Sequence, residues 1–67
     1  MNEEQATAIA KALDGEAWQS GGNIWLVLIH RDDGKLVVIS DEIVCEYENE
    51  EAFHEGARAT SSVYLVA

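Results

Sequence analysis

Three side chains are of a type that could ligate a soft metal or serve as nucleophile and base: His30, Cys45 and His54. A zinc site would need them to converge with a carboxylate such as Asp32 or Glu50. No CxxC or Cys/His spacing brings them together along the chain. A strand-end histidine beside a turn accounts for His30, and a helix histidine near Glu50 and Glu51 accounts for His54. Cysteine catalysis needs a thiolate beside a base. Cys45 lies on the apolar side of the alternating stretch IVCEY, where a buried, unreactive thiol is expected. No GxSxG elbow occurs. Gly21-Gly22 has neither the lysine of a P-loop nor the spacing of GxGxxG, and reads as a turn. Carboxylates are numerous, but a catalytic pair needs a pocket that drives their pKa values apart, and a short chain has little room for one. The expectation is a non-enzymatic protein with no catalytic residues, no metal ligands and no cofactor.

Charge points elsewhere. Thirteen acidic residues face four lysines and arginines, for a formal net charge of −9 over 67 residues. Direct binding to nucleic acid needs basic side chains that displace counterions from phosphates, and an anionic membrane makes the same demand. Neither is expected. A basic protein is the electrostatically favoured partner, and acidity kept only for solubility is the alternative. Residues 41–55 hold Asp41, Glu42, Glu46, Glu48, Glu50, Glu51 and Glu55 and no lysine or arginine. These seven, with Trp18 and Trp25 as possible aromatic anchors, are the candidate partner-binding residues. Side chains at i and i+2 of a strand lie about 7 Å apart on one face. Glu46 and Glu48 could thus begin a row that Glu50 and Glu51 extend onto a helix. DNA carries a charge every ~1.7 Å of its axis, so imitation of its backbone would need acids from helix and loop to converge.

The elements that must position these residues are legible. Asn2 reads as an N-cap with Gln5 completing a capping box, and Glu3 and Glu4 suit the first turn. Ala6, Ile9, Ala10 and Leu13 form an apolar helical stripe. Asp14-Gly15 ends the helix, with Gly15 as the expected positive-φ residue. Residues 16–20, EAWQS, read as a strand, with continuation of the helix through Ala17 as the alternative. Gly21-Gly22 then turns into residues 23–31. Asp33-Gly34 reads as a two-residue type I′ turn into residues 35–40, and Trp18 and Trp25 as cross-strand neighbours.

Residues 24–29, IWLVLI, do not alternate, so this strand is expected to need cover on both faces. The first helix can supply one. The other calls for the second helix, a partner chain or an exposed patch, which is the argument for a dimer. IVCEY is a half-buried strand. Asn49 caps a short helix at 50–55 anchored by Phe53 and stopped by Gly56. SVYLVA is a final strand, with Val63 and Leu65 opposing Tyr64 and Val66.

The expected architecture is a single α+β domain over residues 1–67: an N-terminal helix, an antiparallel meander of three to four strands, a short second helix and a C-terminal strand. A domain this size buries only about 60% of its unfolded surface. The lone cysteine, the absence of a basic leader before an apolar stretch and the shortness of the longest apolar run lead to an expected cytoplasmic location. The expected function is a protein–protein interaction module whose acidic surface engages a basic partner, in the manner of a small inhibitor or DNA mimic of a nucleic-acid-handling protein. Small acidic inhibitors from phages and mobile elements, DNA mimics and anti-CRISPR proteins among them, share this size and charge, a likeness of class that no motif carries. The alternative is a self-associating structural module, a homodimer in the simplest case.

Overall fold

The computed structural model describes residues 1–65. Helix α1 (Glu3–Leu13) is followed by strands β1 (Glu16–Gly21), β2 (Ile24–His30), β3 (Leu36–Ile39) and β4 (Ile43–Tyr47), then helix α2 (Glu50–His54) and strand β5 (Ser61–Tyr64). The strands form one antiparallel sheet in chain order, β1-β2-β3-β4-β5. This is the expected α+β arrangement, with the final strand joining the meander as its fifth member. Val66 and Ala67, placed in that strand by the sequence pattern, lie outside the described residues.

α1 begins as its sequence dictates. The Asn2 side-chain oxygen accepts the Gln5 N–H at 2.8 Å, and the Gln5 side-chain oxygen accepts the Asn2 N–H at 3.0 Å. Two orphan donors of the first turn are thereby satisfied. Asn2→Ala should lower the unfolding free energy by about 1 kcal/mol, read as a lower urea midpoint with an unchanged slope.

The helix ends differently from expectation. Asp14, not Gly15, takes the left-handed conformation, at φ 57°, and its N–H reaches the Ala10 carbonyl. Gly15 is needed for room. A Cβ there would sit 2.6 Å from the Leu28 carbonyl oxygen and 3.1 Å from Ile29 Cγ1. Of the expected stripe, Ala6 and Ala10 are buried and Ile9 half-buried, while Leu13 is half exposed.

Both tight turns also differ. The β2–β3 loop has three residues, Asp32-Asp33-Gly34. The Arg31 N–H donates to the Lys35 carbonyl at 2.9 Å and the Gly34 N–H to the Arg31 carbonyl at 3.0 Å. Gly34 has φ 88°, whereas Asp33 stays at negative φ. The pattern is a type I turn closed by a left-handed glycine, and the Asp33 carboxylate holds it by accepting the Lys35 N–H at 3.0 Å. The β1–β2 turn is Gly22-Asn23, with Gly22 at φ 54°. Ser20 is an unpaired bulge residue, because Gln19 faces Trp25 and Gly21 faces Ile24.

Each face of β2 has its own cover. On one face Val27, with Trp25 and Ile29 beside it, packs against Ala6 and Ala10 of α1. On the other, Leu28 joins Leu36 and Val38 in a cluster closed by Trp18, Leu26, Tyr47 and Phe53. The second helix therefore supplies the cover that the non-alternating sequence demanded. The two tryptophans are not cross-strand neighbours. Trp18 pairs with Leu26 and Trp25 with Gln19, which places the rings on opposite sides of the sheet. No helix of the described residues is long and apolar enough to cross a membrane.

Candidate functional site

The acids of residues 41–55 do not form a row. Glu46 lies half-buried on the α1 side of the sheet, between the Arg31 guanidinium at 2.7 Å and the Lys35 ammonium at 3.6 Å. Glu50 lies on the α2 side. Its two oxygens meet His30 Nε2 at 3.2 Å and His54 Nε2 at 3.4 Å. Asp41 pairs with the Met1 ammonium. Glu42, Glu48, Glu51 and Glu55 are exposed, with no ion pair among the described residues. Trp18 and Trp25 are half-buried members of the two core clusters.

Strand direction explains how charge is shared between the two ends of the sheet. β2 runs into the Asp32-Asp33-Gly34 loop and β4 runs back toward it, since Leu36 faces Tyr47. That end receives His30, Arg31, Lys35 and His54, and with them Asp32, Asp33, Glu48 and Glu50. The opposite end receives the start of α1 and the β3–β4 turn. Its Trp25 N–H donates to the Met1 carbonyl at 3.2 Å, which sets Glu3 and Glu4 in the first turn of α1 beside the same end as Asp41 and Glu42. Among the described residues the positive group paired there is the Met1 ammonium. Both ends are thus net negative, but acids and cations are mixed at one and acids stand almost without cations at the other.

The acidic end is also apolar in its floor. Met1, Ile24, Leu26 and Ile43, with Trp25 and Ser40, line an open groove of about 370 Å³ whose rim carries Asp41 and Glu42. Ile24 is 60% exposed. Its exposure follows from its place at the β1–β2 turn, beyond the reach of both helices. Sequence reasoning singled out Asp41, Glu42 and Trp25 here but missed Glu3, Glu4, Ile24 and Ile43. For Ile24 the only signal was the uniform hydrophobicity of its strand, which does not say where cover stops, and for Glu3, Glu4 and Ile43 the sequence showed only a helix first turn and a half-buried strand.

The remaining polar side chains offer little chemistry. His30 and His54 do converge on Glu50, but Cys45 stays apart from them, half-buried, with its sulfur 3.6 Å from the Ser62 hydroxyl. Among the described residues no group of three His, Cys, Asp or Glu is placed to hold a metal ion. Burial, and secondarily the neighbouring Cys45 thiol, raise the Tyr47 hydroxyl above its ordinary pKa. His30, Arg31, Asp32 and Asp33 line a second open hollow of about 410 Å³ at the mixed-charge end. Its opposite charges lie side by side and favour neither sign of ligand. No protein-family model, curated protein or solved structure matches this chain.

Proposed function

We propose that the protein is a non-enzymatic interaction module that binds a basic partner protein through its acidic end. The observation that carries this reading is the groove floored by Ile24 and Ile43 and rimmed by Asp41 and Glu42, whose lining among the described residues includes no lysine, arginine or histidine. A segment with one apolar side chain flanked by lysine or arginine complements it. The apolar group supplies affinity on leaving water. The charges steer the encounter and fix its orientation. A protein that handles nucleic acid presents such basic grooves, and occupying one would inhibit it. This is occlusion of a groove by a charged, apolar-floored edge. Imitation of a phosphate backbone is the less supported form, because Glu46 and Glu50 lie on opposite sides of the sheet.

The test is capture of basic proteins from source lysate by the immobilised chain at low and high salt, repeated with Glu42→Lys and with Ile24→Glu. The bound partner should elute as salt shortens the Debye length from about 30 Å at 0.01 M to about 3 Å at 1 M. Each substitution should weaken binding about tenfold or more, the equivalent of about 1.4 kcal/mol. Glu51→Lys, on α2, should have little effect. Capture that ignores salt, or that both groove variants retain, refutes the reading.

A further inference from the structure

The two edges of the sheet are built differently. Natural sheets guard their edges with charge, bulges and short or covered strands, because an open edge offers unpaired N–H and C=O groups to another strand. β1 is guarded: it begins with Glu16, carries a bulge at Ser20 and ends in glycine. β5, four residues long, is guarded by its shortness alone and has neither charge nor bulge. Ser61 to Leu65 contain no ionisable side chain except the tyrosine hydroxyl, in a chain of net charge −9. Every residue of the strand is exposed, Val63 at 65% and Tyr64 at 74%.

The hydrogen-bond phase of β5 can be read from its end. The Leu65 N–H donates to the Glu42 carbonyl at 2.8 Å, and the register pairs Tyr64 with Ile43, Val63 with Val44 and Ser62 with Cys45. Hydrogen-bonded and open pairs alternate along an antiparallel ladder. Val63 therefore bonds inward to β4, and the backbone groups of Ser62 and Tyr64 point outward from the sheet.

We propose that β5 is a self-association edge, pairing antiparallel with β5 of a second copy about a two-fold axis at Val63. In that register the outward groups of Ser62 meet those of Tyr64 in the partner, and each outward N–H and C=O finds a mate. Val63 stands opposite its own copy. The strand ladder makes this pairing continuous with the core: Ala17, Val27, Ile39, Val44 and Val63 are successive register partners across the five strands. This all-apolar row starts under α1 and ends at the bare edge. Pairing extends it without interruption into a second copy and covers part of the surface that α1, which packs on β1 and β2, leaves open.

Charge selects the second copy as occupant. With a net charge of −9, copies packed face to face would oppose acid to acid. Meeting edge to edge at an uncharged strand keeps the acidic ends apart. A basic partner gains nothing from an edge with no carboxylate. Salt, which screens the repulsion between two copies of net charge −9, is accordingly expected to leave the self-association intact or strengthen it, which separates it from the binding proposed for the acidic end.

Sedimentation of the full chain at micromolar concentration tests the proposal. The expected result is a dimer at both low and high salt. Val63→Lys places like charges directly opposite across the axis and should weaken the dimer about tenfold or more. Ser62→Pro removes an outward N–H without touching the ladder to β4 and should do the same. Both variants should keep the parent circular dichroism spectrum. Glu16→Lys, on the other edge, should leave the dimer intact. A monomeric parent chain, a dimer that survives in either folded β5 variant, or a dimer lost through Glu16→Lys would overturn the assignment.

Discussion

Phe53→Ala is expected to cost about 3 kcal/mol of unfolding free energy, at the low end for a buried aromatic because the ring is only partly covered. The ring stands edge-on to Trp18 and to Tyr47, each with centroids 5.2 Å apart, and packs on the cluster of Leu28, Leu36 and Val38. α2 has five residues and no intrinsic stability at that length, so the ring holds the helix more than the helix holds the ring. A domain of this size has only about 3–10 kcal/mol to lose. The loss should appear as a large fall in urea midpoint. Trp18 fluorescence should shift to the red in the folded baseline as its cover departs. A change below about 1 kcal/mol would show that α2 contributes little to that face.

Gly15→Ala should cost about 2 kcal/mol, within the usual range for forcing an extra carbon into a packed site. The clash is with backbone, the Leu28 carbonyl oxygen at 2.6 Å, so no side-chain rotation relieves it. β2 must move away from the α1–β1 junction, and the buried pair Val27 and Leu28 moves with it. The measurement is again equilibrium unfolding. A valine or larger residue at position 15 should be worse than alanine. If Gly15→Ala were neutral or stabilising, as it would be were this an ordinary loop glycine, the close approach would be refuted.

Gly15 also shows what could not be read in advance. Its neighbourhood along the chain, Leu-Asp-Gly-Glu, suits a helix stop by either residue. The choice of Asp14 for the left-handed position is fixed by how near β2 passes, a contact thirteen residues away along the chain. Asp32-Asp33-Gly34 is similar. The glycine is needed in both possible turns, and only the register of β2 against β3 selects the longer one. Features set by short-range chemistry were legible: the Asn2–Gln5 capping box, the Asn49 cap, the strand EAWQS and the demand of IWLVLI for two covers. The acids were legible as a total and not as a pattern. Whether Glu46 meets solvent or Arg31 depends on which side of β4 turns toward the hairpin, and the alternation IVCEY fixes sides only relative to one another.

The chain-order sheet has a consequence for how the molecule comes into being. Every strand pairs with its neighbour in sequence, so no pairing waits for a distant segment. Topologies of this kind fold fast, because the steps up to β4 each close only a short loop and only β5 returns across the segment that holds α2. α1, β1 and β2 pack together within the first thirty residues. A nascent chain could therefore assemble its α1-side core before β4 has left the ribosome. The Phe53 side closes later, since it draws on Trp18, Leu36, Tyr47 and Phe53 together, and β5 arrives last on an already formed β4.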